Sequence, residues 1–593
     1  MVGEHHPKEN PTLRPSQPFT AAILAITPAI AGAQDTILDP LTVEAPALTP
    51  ANQKTVRPDA LNPAPVSDGG ELLRAEPGIW GSRFGGAGID PVIRGQGQNR
   101  LNVMLDGGFV HGGCPNRMDP PSSYASPATY DSVEVIKGNQ TVRFSGGGSG
   151  GTVRFQRATE RFGPAERFRG EVGVAGRSNA DAKEVHADVA TGTPTGYVRA
   201  LGSYRDANSY EDGDGDRVRS AYTHKNGAVH LGYTPDDHTT LDLGLETSEG
   251  EDVLYTGMMD APETSNDSAR LSFERETDVG FLDTLSAKAY YNDVDHLMDN
   301  YSLRFNPGPP KKMYMRTPSD SVSYGGRTEG TIEAGASTLW RMGVDYRFNN
   351  REAVRYSGMT AGNVNTTQSI MWPDVDLGQL GAFTELERDF GARDHLKAGL
   401  RVDHVQTEAN RSEDTAAGQA PADLYEQYYN TRSNDASETN IGGLLRYRHD
   451  FSRSLALHGT LSRSVRTADA TERFMASNKT KMMQDWVGNP NLDPEKHRQA
   501  EVGLTYTSDA TRAKAAAYYN DVADYILCTK VQGANGYRNV DATLAGGELS
   551  LRQGLTDRWI ARGTAAYVYG TNDSADDPLP QMPPLEGTGG LDY

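Results

Sequence analysis

The chain has 593 residues, 58 basic against 79 acidic side chains, and a net charge of −21. It carries 64 glycines and two cysteines, with a mean hydropathy of −0.60. No run of about 18 apolar residues exists, which excludes a helical membrane protein. Two cysteines cannot build a disulfide framework, a zinc-ribbon array or a cysteine-ligated iron–sulfur cluster. The acidity argues against nucleic acid as a partner. High glycine and low apolar content suit either a loop-rich secreted protein or a polar-lined membrane β-barrel.

The chain opens with a short apolar run, Pro18–Ala33, preceded by Lys8 and Arg14 and closed by Ala31-Gly32-Ala33. A basic flank, an apolar centre and small terminal residues describe a secretory signal peptide over 1–33. A tail with an accidental apolar run is the alternative. Residues 34–66 are rich in Pro, Ala and Asp and read as a flexible extension. Within it, Leu38–Ala45 is a short β-prone island.

Residues 67–160 read as a small α/β domain. A short helix is expected at Glu71-Leu72-Leu73, and glycine-closed strands at Pro91–Ile93, Leu101–Leu105, Val133–Ile136 and Gly151–Phe155. From 161 to 593, about 18 strand-length segments of period two follow one another. Short polar connections such as Asp236–His238, Asp450–Arg453 and Ser508–Ala510 alternate with long ones such as 299–318 and 409–436. This is the pattern of an outer-membrane β-barrel, with a large soluble all-β protein as the alternative. Low hydropathy fits the barrel, because only every second residue of a strand faces lipid.

On these residues the sequence resembles the TonB-dependent outer-membrane receptors along the whole mature chain. Ile93-Arg94-Gly95, Leu105-Asp106-Gly107, Glu134–Gly138 and Gly147–Val153 resemble plug-domain motifs, and Gly488–Glu495 resembles a barrel-loop motif. Leu38, Asp39, Pro40, Leu41, Thr42 and Val43 resemble the TonB box, a segment that pairs with TonB by β-augmentation. The resemblance implies an all-β membrane protein, a 22-strand-type barrel with an N-terminal α/β plug. It also implies a monomer set in outer-membrane lipid of a bacterium and energised through TonB.

One cysteine stands in a suggestive place. Cys114 and Met118 are separated by three residues in an expected plug loop, so a compact turn would place both sulfurs on one side. Thiolate and thioether are soft donors that select Cu(I) over Fe(III), Ca or Mg. A second pair, His296 and Met298, ends a strand beginning near Thr284. Ser286, Lys288, Tyr290, Asn292, Val294, His296 and Met298 share its more polar face, which should line the lumen. By count this is the seventh strand, and its end lies on the extracellular side. The residues alone yield a soft-metal site without fixing its geometry. Cys-x-x-x-Met with His-x-Met resembles the TonB-dependent copper receptors, and that resemblance implies Cys114, Met118, His296 and Met298 as copper ligands.

Other readings of these residues stay open. Met298 can be packing, His296 a hydrogen-bonded lumen group, and Cys114 the partner of Cys528 in a disulfide. Further methionines are expected in outer loops: Met258, Met259, Met313, Met315, Met359, Met371, Met482 and Met483. They offer transient Cu(I) contacts, or serve as filler. The expected function is active copper import. The rivals are a receptor for an iron–siderophore or cobalamin, and a passive channel. No nucleophile elbow, His-Glu-x-x-His or P-loop supports an enzyme.

The chain stops at Gly587–Tyr593, a strand-like stretch after the Pro578–Pro584 turn. Completing a 22-strand barrel needs about four more strands, on the order of 80–110 residues. The expectation is therefore a C-terminally truncated receptor.

Overall fold

The computed structural model describes residues 52–58, 66–277, 281–479 and 483–593. The export signal 1–33 and the TonB-box segment Leu38–Val43 lie outside the described residues, as does Met482. Among the described residues, no helix is long and apolar enough to cross a membrane.

Eighteen long strands, from Phe168–Arg177 to Glu586–Asp592, curl into a barrel, leaving aside two-residue strands in the loops. Successive long strands pair antiparallel. Connections on one end are short, as at 194–195, 237–238, 391–393 and 508–510. On the other end many are long, as at 208–221, 300–313, 410–434 and 467–494. The first and last strands are exposed on both faces, with Val172, Val174 and Leu591 open.

Period-two sequence makes these strands two-sided. On the outer face, Val198, Leu231, Leu243 and Leu271 sit opposite one another on four successive strands, and all are exposed. An exposed apolar row in register is what a lipid-facing band requires. Tyr291 lies opposite Tyr324, while Trp340, Phe390, Phe451 and Trp559 lie near the short turns. The inner face is polar and buried, as with Arg199, His230, Asn266, Arg270 and Asn292.

The lumen is filled by a plug. Its main sheet has the order Gln53–Val56, Ser132–Lys137, Gly151–Gln156, Leu101–Leu105, Gly108–Phe109. The central pair, Leu101–Leu105 with Gly151–Gln156, is parallel. This corrects one expected boundary: Gln53–Val56, read as flexible extension, pairs with Val133–Ile136. The added strand satisfies the outer edge of Ser132–Lys137, whose backbone groups would otherwise be buried unpaired. A short α-helix, Gly69–Leu73, is capped by Asp68, which accepts from the Glu71 N–H. Both Asp68 oxygens are used, because Oδ2 also accepts from the Gly88 and Ile89 N–H groups at 2.8 and 3.1 Å.

The plug core joins Leu72, Leu73, Ile79, Ile93, Val133, Val153 and Phe155 to Val294 of the barrel. Buried ion pairs add to the contact: Arg94 with Glu501 (2.6 Å) and Glu548 (2.8 Å), Arg100 with Glu495 (2.5 Å), and Arg157 with Glu246 (2.8 Å). Losing one partner of such a pair leaves an uncompensated buried charge and costs about 3–5 kcal/mol.

Candidate functional site

Thr284–Asp299 is the seventh barrel strand, and it runs toward the long-loop end. Tyr290, Asn292, Val294, His296 and Met298 are buried on its inner face, while Tyr291 and Asp295 are exposed on the other. Val294 anchors this stretch in the plug core. Two and four residues further along, His296 and Met298 face the next layer of plug, the 111–119 loop.

That loop is a tight turn. The Arg117 N–H donates to the Cys114 carbonyl at 2.8 Å, with Pro115 in the turn and Arg117 in the left-handed region at φ 56°. Asp119 closes the loop by accepting from the Gly113 N–H at 2.7 Å and the Cys114 N–H at 2.9 Å. Tyr124 donates its hydroxyl to the same carboxylate at 2.7 Å. Arg117 is held in turn by Asp90, through Nε at 2.8 Å and Nη2 at 3.2 Å. The ends of the Cys–Met spacing are thus fixed by a carboxylate and a guanidinium.

The turn carries both sulfurs into one cluster with the barrel. Cys114, Met118 and Met298 are buried together with Ala87, Val253 and Tyr255. Glycines permit this approach. A Cβ at Gly113 would stand 2.8 Å from the His296 Cβ, and one at Gly88, where φ is +74°, would stand 1.9 Å from the Met118 carbonyl oxygen. Of the four residues expected to act together, three share the cluster and the fourth, His296, lies beside Gly113.

His296 is 2% exposed, and neither ring nitrogen has a hydrogen-bond partner. Asp119 Oδ2 stands 3.4 Å from Nδ1, close enough for charge attraction but outside hydrogen-bond geometry. A buried polar group left unpaired costs about 1–3 kcal/mol. Burial, reinforced by Asp119, pushes the Cys114 thiol up to about 12, so it is protonated at neutral pH. The site therefore holds a neutral thiol, two thioethers and an imidazole free to coordinate. This donor set suits a soft cation. Among the described residues, no group of three or more His, Cys, Asp and Glu side chains gathers in a metal-binding arrangement, either at this cluster or elsewhere.

Both cysteines are free thiols, Cys114 buried and Cys528 exposed on the fifteenth strand. The Cys114–Cys528 disulfide is not formed. The other methionines separate. Met259 is half-buried against the Cys114 cluster, whereas Met258, Met313 and Met359 are exposed. Met315 and Met371, expected in loops, are instead buried strand residues. Met371 packs with Trp372, Tyr425 and Phe474 beneath the long loops, where an apolar side chain fills a hydrophobic layer. The Met483 sulfur lies 3.9 Å from Arg355 Nη1.

A plug inside a wide antiparallel barrel defines a class of outer-membrane transport receptor rather than an enzyme. The description "TonB dependent receptor-like, beta-barrel" matches residues 132–593, and "TonB-dependent Receptor Plug Domain" matches residues 46–152. The chain belongs to the TonB-dependent receptor family, whose barrels reside in the bacterial outer membrane. Among solved structures, the copper transporter OprC is similar with a TM-score of 0.81 and 33% identity, over 91% of this chain and 84% of that one. The Serratia marcescens hemophore receptor HasR, solved with its hemophore and heme, gives 0.71 and 17% over 92% and 89%. The ferric citrate transporter FecA gives 0.70 and 16% over 92% and 82%. The last two share the fold. A curated relative, the ferric enterobactin receptor PirA of Pseudomonas aeruginosa, is 27% identical over 213 residues. The match spans 33% of this chain and only 26% of that receptor.

Proposed function

We propose that this receptor imports copper, taking it as Cu(I) between plug and barrel on Cys114, Met118, His296 and Met298. The observation that carries this reading is His296: fully enclosed, with both ring nitrogens unpartnered, against Gly113 next to Cys114 and two residues before Met298 on the same strand face. Thiol and thioether are weak hydrogen-bond partners for an imidazole, whereas a soft cation binds the imidazole and the sulfurs alike. Binding as thiolate releases the Cys114 proton. The 33% identity to a copper transporter supports the same cargo. The solved iron-chelate and heme receptor structures share 17% identity or less and support only the fold, and the 27% match to a ferric enterobactin receptor covers only 33% of this chain.

In this reading the Leu38–Val43 segment engages TonB, whose pull on the plug would separate the Cys114 loop from the seventh strand and release the metal. Met258, Met259, Met482 and Met483 offer secondary contacts on the way in. Their surroundings rank them. Met259 borders the cluster, while Met483 faces a guanidinium, which repels a cation. Met259→Leu should therefore lower uptake at limiting copper, and Met483→Leu should leave it unchanged.

The direct test is metal analysis of the purified receptor after Cu(I) loading, with and without Cys114→Ser. About one copper per wild-type chain and little in the variant is expected. Equal copper in both, or none in wild type, sinks the reading.

A further inference from the structure

Three residues before Cys114, the same plug loop turns His111 into a separate chamber. This cavity lies between plug and barrel and has a volume of about 60 Å³. Its charged lining is one-sided: Arg117, Arg347, Arg351 and Arg466 against a single carboxylate, Asp469.

Most of these charges are accounted for. Arg117 is paired with Asp90 at 2.8 Å. Arg466 is paired with Glu472 at 2.7 Å and Glu495 at 2.8 Å. Arg351 reaches Asp469 at 3.4 Å and donates from Nη2 to His111 Nδ1 at 2.9 Å. Arg347 is the exception. Among the described residues it has no carboxylate at ion-pair distance, and its Nε has no hydrogen-bond partner. The nearest carboxylates, Asp345 and Asp403, give their short contacts to Arg401 at 2.6 and 2.7 Å. The Nε of Arg351, a residue 4% exposed, is likewise unpartnered.

A guanidinium whose Nε–H is buried and idle needs an acceptor there, and an unpaired one needs a counter-charge. Two idle N–H donors and one unmatched positive charge border the same small chamber. His111 accepts at Nδ1, so its neutral ring carries the proton on Nε2, a further donor. Burial, together with Arg351, Arg347 and Arg117, holds that imidazole well below its ordinary range, which also marks the chamber as electropositive.

We infer that this cavity is a binding site for one monovalent anion of halide size, held by the guanidinium groups of Arg347 and Arg351. One unmatched charge calls for one negative charge. The chamber has room for a small anion together with several waters. His111 and Arg117, which flank Cys114 in the 111–118 loop, both line the chamber, so the anion braces that loop on either side of the cysteine.

The test uses the full-length receptor without copper, so its outcome is independent of the cargo. Crystals grown with bromide in place of chloride and measured at the bromine edge should show an anomalous peak beside Arg347 and Arg351. Thermal unfolding in sodium bromide should lie above that in sodium gluconate at equal ionic strength and saturate with concentration. Arg347→Gln should remove that difference. No anomalous peak in the chamber, or the same bromide shift in Arg347→Gln as in wild type, overturns the inference.

Discussion

Gly113 of the plug and His296 of the seventh barrel strand approach so closely that a methyl group on Gly113 would lie 2.8 Å from the His296 Cβ. Real Cβ atoms do not come this near, so Gly113→Ala must push the Cys114 loop away from the strand. Overpacking of this kind costs about 1–3 kcal/mol. The cost falls on the assembled site, not on the barrel. Gly113→Ala should weaken Cu(I) binding about ten- to a hundred-fold with little change in the unfolding temperature. Competition against a Cu(I) chelator measures the first, and calorimetry the second.

Asp119 is a positioning residue. It fixes the Gly113 and Cys114 amides and stands 3.4 Å from His296 Nδ1, so that Nε2 is the nitrogen left for a metal. Asp119→Asn keeps the shape but turns an amide NH2 toward backbone N–H donors. Groups that orient metal ligands are worth about 10–100-fold in affinity. A loss of that size, with Cys114 still reactive toward a thiol reagent after mild unfolding, is the expected result. Unchanged affinity would remove Asp119 from the site.

Met298→Leu separates ligand from filler. The swap conserves volume, so stability should move by less than about 1.5 kcal/mol. If the thioether binds Cu(I), affinity falls while the melting curve stays in place. If Met298 only packs, neither changes.

Glu495 closes the Gly488–Glu495 loop motif and is fully buried. It accepts from Arg100 of the plug, from Arg466, and from the Ile526 N–H at 2.7 Å. Glu495→Ala leaves Arg100 without its carboxylate partner and Arg466 with Glu472 alone. A loss of about 3–5 kcal/mol in plug attachment is expected. Earlier proteolytic release of plug fragments on heating, with the barrel still intact, would show it. Glu495→Gln should be milder, because its amide oxygen still accepts one bond.

Much of this architecture is local and was legible in the sequence. Alternation of polar and apolar residues is a property of consecutive positions. It therefore counted the strands, placed Thr284–Asp299 seventh, and assigned His296 and Met298 to the lumen. The short turns at Asp236–His238, Asp450–Arg453 and Ser508–Ala510 followed from their polar, turn-forming residues. The Cys114–Met118 spacing identified two soft donors on one short loop.

Other features depended on which distant segments meet. Gln53–Val56 looked like linker because its partner strand, Ser132–Lys137, lies far along the chain. Asp119 follows Met118 directly, yet nothing local distinguishes a carboxylate that binds its own loop from a solvated one. The exposed, half-buried and fully packed methionines read alike, and only the cap of long loops sorted them. Composition allowed a polar-lined barrel, the period-two pattern selected it, and the Cys114–Met118 and His296–Met298 spacings pointed to soft-metal chemistry. The plug's seating on Val294 decided that Cys114 and Met118 join Met298 in one cluster while Gly113 meets His296, because contact across a lumen is set by packing and not by spacing along the chain.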